Sequence, residues 1–188
     1  MNKITRLTTS EAIIEAGFMV LNQNPKASLA DIANTAGVGR ATLHRYFSGR
    51  DNLIEAMSLK ALKEMEQAAD EASKNAQSYS EALHCIFVAM IPLGTRQWFL
   101  AQEHVQHFQK VKKAIDRQEK DMRNAVKKAS KEGLFHPSCP LDWVMLSYDH
   151  MIHAAWEMVR LERLTVDQAA QLGWQTLIQG LQNANIQH

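Results

Sequence analysis

Arg40, Thr42, His44, Arg45, Tyr46 and Arg50 fall within one short stretch, GRATLHRYFSGR, residues 39–50. Guanidinium groups bond bidentately to guanine edges and to phosphate, while Thr, His and Tyr supply shorter polar groups for phosphate or base. The same stretch carries Leu43, Tyr46 and Phe47 at core spacing. With Leu43 and Phe47 facing inward, the 100° step of a helix turns Ala41 and Arg45 outward, with Thr42 and His44 on the flanks. Arg40 sits on the first turn, within reach of a base edge, and the small Ala41 lets the helix approach a groove floor. Placed on one outward helix face, such side chains would suit contact with a nucleic acid.

The elements that must position these side chains are legible upstream. In LADIANTAGVGRATLHRYF, residues 29–47, a steep helix crossing needs a small contact residue, and Ala33 supplies it. The turn needs a residue tolerant of positive φ, and Gly37 stands four positions later. Ile32, Ala36, Val38, Leu43 and Tyr46 are expected to pin both helices to a third. The second helix is then the recognition helix. Charge agrees: residues 1–50 hold Lys3, Arg6, Lys26, Arg40, Arg45 and Arg50 against Glu11, Glu15 and Asp31, whereas the whole chain nets only +1. A basic N-terminal quarter on a neutral body fits a polyanionic partner.

The rest reads as helix. Pro (4) and Gly (8) are scarce among 188 residues, and no long stretch alternates with period two. Thr8-x-x-Glu11, Ser28-x-x-Asp31, Ser48-x-x-Asp51, Ser78-x-x-Glu81 and Thr165-x-x-Gln168 have the shape of capping boxes. The segment 24–26 ends the first helix, Gly37 the second and Gly133 a long charged one; Pro92 begins or kinks a segment, and 136–140 is a loop. About nine helices are expected, in an all-α fold. Cys85 and Cys139 form no disulfide framework, and the longest apolar run, CIFVAMIPL, is too short to span a bilayer, so a cytoplasmic protein without membrane association is expected.

Residues 8–57 resemble the DNA-binding region of the tetracycline-repressor (TetR) family of transcriptional regulators. The shared features are the first-helix face with Ala16 and Phe18, the IA..AGV turn, the TL..YF recognition helix and the charged start of helix four before Leu53. A weaker likeness runs over 133–181. The resemblance implies a three-helix DNA-binding domain at 1–50 and a helical effector-binding and dimerisation domain at 51–188. It implies phosphate contacts for Ser28, Thr42 and Arg50, and base-facing positions for Arg40, Ala41 and Arg45. The family usually has Tyr where this chain has His44, which exchanges a phenol for an imidazole at a phosphate position. It further implies a homodimer bound to a double-stranded, near-palindromic operator, and release by a small-molecule effector.

In the body, helix 141–163 is apolar around most of its circumference and is expected to be buried on two sides. Helix 165–183 sets Gly173 and Gly180 on one face with Leu177 beside them, a face the resemblance assigns to the two-fold interface. Aromatic, Met and His side chains gather at 84–108 and 143–156. Among them Trp98, Phe99, Tyr148, Met151 and Trp156 are expected to line a pocket for an apolar, aromatic-containing effector. His104/His107 and His150/His153 each share a helix face, but only Glu81-x-x-His84 has the Glu-x-x-His form, and HExxH, GxSxG and Gly-rich phosphate loops are missing. No cofactor, metal or catalytic residue is expected. The alternative is a ligand-binding or metal-dependent helical-bundle enzyme with an incidental helix-turn-helix.

Overall fold

The computed structural model describes residues 7–102 and 105–183, so Lys3, Arg6 and His104 lie outside the described residues. Among these residues every regular element is helical. Three helices open the chain: α1 (Thr9–Gln23), α2 (Leu29–Thr35) and α3 (Arg40–Tyr46). Thr8 and Ser28 close complete capping boxes with Glu11 and Asp31, which satisfies free N–H groups and fixes where α1 and α2 begin. Gly37, at φ +67°, ends α2 in a Schellman turn: Val38 N–H donates to Ala33 O and Gly37 N–H to Asn34 O. Ala33 and Leu43 are fully buried at the crossing of α2 and α3, above Ile13, Phe18 and Leu21 of α1.

The expected cap at Ser48 does not form. Helix α4 (Arg50–Ser73) takes Gly49 as its N-cap, one residue later than the Ser48–Asp51 register requires, and no side chain bonds there. Its 24 residues run through both hydrophobic cores. Leu53, Ile54, Met57, Ala61 and Leu62 pack with the first three helices, whereas Met65, Ala68 and Ala69 pack with the body. The division expected at residue 50 therefore coincides with the start of a helix that both halves share.

The body comprises α5 (Tyr79–Met90), α6 (Gly94–Gln102), α7 (Gln109–Lys131), α8 (Leu141–Arg160) and α9 (Val166–Gln182). Tyr79–Gln102 is long and apolar enough to cross a membrane by composition. Yet Pro92 breaks it with a 3-10 turn at Ile91–Leu93; the first piece packs into the body core, and the second turns Phe99 into the N-terminal core while Trp98 stays against the body core. Gly133, at φ +87°, closes α7 with the same Schellman turn as Gly37. The carboxylate of Glu132 beside it accepts from the N–H groups of Tyr79 and Ser80 and from the Ser80 hydroxyl, so the end of α7 caps the start of α5. Those bonds, the Ser80 hydroxyl foremost, hold the Glu132 carboxyl below the usual carboxylate range.

Candidate nucleic-acid interface and the cleft behind it

On α3, Leu43 and Phe47 are buried, and Arg40, Ala41, His44 and Arg45 are exposed with Thr42 between. Tyr46 departs from the expectation. It is 43% exposed and does not pin the helices together. Phe47 already fills the inward direction, so the adjacent ring is turned out, where the Arg45 guanidinium lies 5.4 Å from its centroid. Tyr46 thus belongs to the outer surface with the two arginines. Ser28 is exposed, and its hydroxyl is engaged with Asp31 in the α2 cap; those Ser28 bonds hold the Asp31 carboxyl low.

Arg50 has a task that sequence reasoning did not assign. Its guanidinium donates 2.6 Å bonds to the carbonyls of Ala27 and Pro25, tying the α1–α2 loop to the start of α4. It is half-buried there, on the first residue of α4.

Behind this layer, α1, α6 and α8 enclose a cleft of about 800 Å³. Helix α1 contributes Phe18 and Asn22, α6 contributes Thr95, Arg96 and Trp98, and α8 contributes His153 and Trp156. Trp98 and His153 stack nearly parallel, 15° apart at 5.1 Å, with Trp156 next to both. The Trp156 ring lies so close to Gly94 that a Cβ there would fall 1.9 Å from the indole. Only glycine permits that seat.

Arg96 holds the cleft's two sides together. Its guanidinium bonds both carboxylate oxygens of Glu15 on α1 and one of Glu64 on α4, and it lies 4.3 Å over the Phe18 ring. Lys60 completes the network with Glu64 at 2.7 Å. Burial works against the Arg96 charge, but the Glu64 and Glu15 bonds outweigh it and raise its pKa further. Arg96, Gly94 and Asn22 were missed at the sequence level. A signal existed for the first: Arg96 is the sole Lys or Arg between Lys74 and Lys110, in an otherwise apolar stretch, and such a charge needs a partner.

Of the five expected effector residues, Trp98 and Trp156 line this cleft and three do not. Phe99 is buried in the N-terminal core, edge-on to Phe18 at 5.1 Å. Tyr148 is buried in the body and donates a 2.6 Å bond to Leu83 O; burial pushes its phenol pKa well up. Met151 is half-buried beside Gly173. These three side chains serve the cores, because helical aromatic spacing marks a packed face as readily as a cavity wall.

The expected dimer residues divide similarly. A Cβ at Gly173 would meet Phe87 at 3.0 Å, and Leu177 is buried, so both are occupied within the chain. Gly180 is open. The large apolar side chains left exposed are instead Trp143 (58% exposed), Leu146 (55%) and Met158 on α8, Leu161 at its C-cap and Leu172 (56%) on α9. Helix α8, expected to be buried on two sides, buries Val144, Tyr148, Ile152, Ala155 and Trp156 within the chain and leaves Trp143, Leu146 and Met158 exposed. Among the described residues no three His, Cys, Asp or Glu side chains gather as a metal site would require. His150 bonds Leu146 O, and His84 packs on Trp174.

Residues 13–57 match the family described as bacterial regulatory proteins, tetR family. The HTH-type transcriptional repressor LfrR of Mycolicibacterium smegmatis is 34% identical over 98 residues, 52% of each chain. The HTH-type transcriptional regulator NfxB of Pseudomonas aeruginosa is 37% identical over 54 residues, 29% of each. The sequence match thus spans about half the length of LfrR, and less of NfxB. Among solved structures, the TetR-like regulator LfrR from Mycobacterium smegmatis in complex with proflavine superposes with a TM-score of 0.75 at 23% identity. That match covers 92% of this chain and 96% of the other. A TetR family regulator from Marinobacter aquaeolei gives 0.75 at 16%, covering 92% and 95%. Residues 13–57 thus match the helix-turn-helix segment of the TetR family, and the described residues have the fold of TetR-like regulators. The family is one of regulators, which disfavours the enzyme alternative.

Proposed function

We propose that this chain is a ligand-responsive, DNA-binding transcriptional repressor that works in the cytoplasm as a homodimer on a near-palindromic operator. The observation that carries the reading is the outer face of α3. Two arginines, a small residue and a polar flank stand exposed on a short helix whose opposite side is locked into a complete helix-turn-helix. Arg40 and Arg45 read base edges, Ala41 admits the helix to the groove, and Ser28, Thr42, His44, Tyr46 and Arg50 meet the flanking backbone.

The homodimer reading is supported by Trp143, Leu146 and Met158 on α8 and Leu172 on α9, large apolar side chains left exposed that a second copy would cover. Two copies joined there through a two-fold axis would form a four-helix interface and offer two α3 helices to successive major grooves. A small-molecule effector is supported by the cleft and by LfrR, whose solved structure holds proflavine. Ligand binding to one arrangement of the two heads lowers operator affinity by population shift.

Selection of genomic fragments on the purified protein, followed by titration of the recovered sites at several salt concentrations, tests the reading. One recurrent near-palindromic site, bound far more tightly than random DNA and with a steep salt dependence, is the expected result. Equal affinity for all fragments overturns it.

A further inference from the structure

We propose that the outward face of α7 is a second DNA-binding surface, one that grips the phosphate backbone of a separate duplex segment without reading its sequence. It goes beyond operator recognition and uses no residue of α3.

Lys110, Lys113, Arg117, Lys120, Asn124, Lys127 and Lys131 recur every three or four residues, so they form one stripe along the helix. All of them are exposed. Val111, Val126 and Ala129, with Ile115 and Met122, make the buried face, and a step of about 100° per residue sets the stripe opposite to it. A chain that nets only +1 thus gathers six of its 21 Lys and Arg side chains on one helix face.

That charge is left uncompensated. Among the described residues Lys110, Lys113, Lys120, Lys127 and Lys131 form no ion pair or hydrogen bond, and only Arg117 is paired, with Glu66 at 2.7 Å. The acids of α7 stand off the stripe: Asp116 pairs with Lys112, Glu119 with Arg123, and Asp121 lines the groove shared with α4 and α5. Lys110–Lys113, Lys113–Arg117, Arg117–Lys120 and Lys127–Lys131 are like-charged neighbours three or four apart, and each opposes the helix. A face that has only to meet water mixes its signs. This one bears a repulsion that an anionic partner relieves.

The dimensions fit a duplex. From Lys110 to Lys131 the ridge is about 32 Å long, close to the ~34 Å of one DNA turn, whose backbone has a charge every ~1.7 Å of axis. Lysines meet phosphate as point charges and bring no base preference. The stripe holds no aromatic ring to stack on unpaired bases and no apolar side chain to enter a bilayer.

The segment it grips is not the one on α3. One end of α7, at Val111 and Ile115, packs in the N-terminal core, and the other, at Val126 and Ala129, packs in the body core. The ridge therefore leads away from the head. DNA is stiff over about 150 bp, so a duplex lying on α3 cannot cheaply turn within one helical repeat to follow it. A protein seated on its operator would then bridge to a second segment.

The test uses the full chain and a labelled operator-free duplex about two turns long, titrated at several salt concentrations. Lys113→Gln, Lys120→Gln and Lys127→Gln together should weaken its binding about tenfold and reduce the slope of log K against log salt by about three. Arg40→Ala with Arg45→Ala should leave this component in place, and all five changes combined should remove it. On beads bearing the recovered operator, the wild type should capture the free duplex, and the triple lysine variant should hold the operator without capturing it. That variant should melt no earlier than the wild type, since like-charged neighbours are removed. An earlier melt would make the stripe part of the fold and overturn the surface. An unchanged salt slope overturns the proposal. So do phosphatidylglycerol vesicles that outcompete the duplex and lose their hold in the same variant, which would make the partner a membrane. If no operator is recovered, the free-duplex slope still decides α7, so failure of operator recognition and failure of this surface are told apart.

Discussion

The outer face of α3 and the cleft behind α1 are built from the same kinds of residue, arginine and aromatics beside a small spacer, and use them in opposite ways. On α3, Arg40 and Arg45 are exposed and Ala41 opens the approach for something outside the chain. In the cleft, Arg96 is 17% exposed and committed to Glu15 and Glu64, and Gly94 admits the chain's own Trp156. An arginine in water keeps its bonding capacity for a ligand; one that is buried must be satisfied by the fold itself. The contrast predicts that charges on α3 govern affinity and that charges behind α1 govern stability.

The largest effect should come from neither region but from the surface proposed to pair two copies. Trp143→Glu with Leu146→Glu places two charges in the exposed stripe of α8. Sedimentation should then show monomers, and operator affinity should fall about 100-fold or more as the second half-site is lost. A double variant that remains dimeric removes α8 from the interface.

Next are the arginines that separate the two regions. Arg96→Ala leaves Glu15 and Glu64 with Lys60 as their one remaining cation and removes three charge-assisted hydrogen bonds, and it should cost about 2 kcal/mol of unfolding free energy. Arg45→Ala should change stability by no more than about 0.5 kcal/mol. It should instead cost about 1–3 kcal/mol in operator binding and relax the base preference at one position, with Arg40→Ala behaving likewise. Denaturant melts and operator titrations of both variants check the pair. If Arg45→Ala unfolds the protein, or Arg96→Ala spares it, the contrast fails.

Arg50 lies between the two cases. It is tied to Ala27 and Pro25, and the proposed function also gives it a DNA-backbone contact. Arg50→Ala should lose about 1–2 kcal/mol of stability through the two carbonyl bonds. It should also weaken operator and random DNA alike, with a shallower salt slope. A loss confined to the operator would make Arg50 a base reader instead.

The same contrast explains what could be read from the sequence. The first fifty residues were legible because their determinants are local: the caps at Thr8 and Ser28, the turn at Gly37, and the inward pair Leu43 and Phe47 lie within a few residues of what they organise. Tyr46 misled because it neighbours an inward residue, and a ring at a helix end turns either way. In the body the determinants are distant partners. Nothing near Gly173 announces Phe87, and nothing near Gly94 announces Trp156, 62 positions away. Helical periodicity therefore located the aromatic-rich helices and could not distinguish cavity walls Trp98 and Trp156 from core residues Phe99 and Tyr148. It also could not say which face of α8 and α9 the chain buries for itself.

The smallest expected effect isolates the electrostatic part of the clamp behind α1. Burial alone would raise the Glu64 pKa, but the hydrogen bonds from Lys60 and Arg96 outweigh it and hold the carboxyl below its usual value. A carboxylate whose folded pKa is depressed contributes stability that is complete above the unfolded value, about 4.3, and fades as pH falls through the folded one. Glu64→Gln keeps the shape and removes the charge. It should therefore lower the urea midpoint at pH 7 by a modest amount, within about 1 kcal/mol, since the pair is partly exposed. The difference from wild type should shrink as pH falls below about 4 and the wild-type carboxyl takes up its proton. Asp31, held low by Ser28 in the α2 cap, is subject to the same acid loss, so both regions weaken in acid and only the Glu64 share should disappear in the variant. A Glu64→Gln deficit that is equal at pH 7 and pH 3.5 would assign the clamp to packing instead of charge.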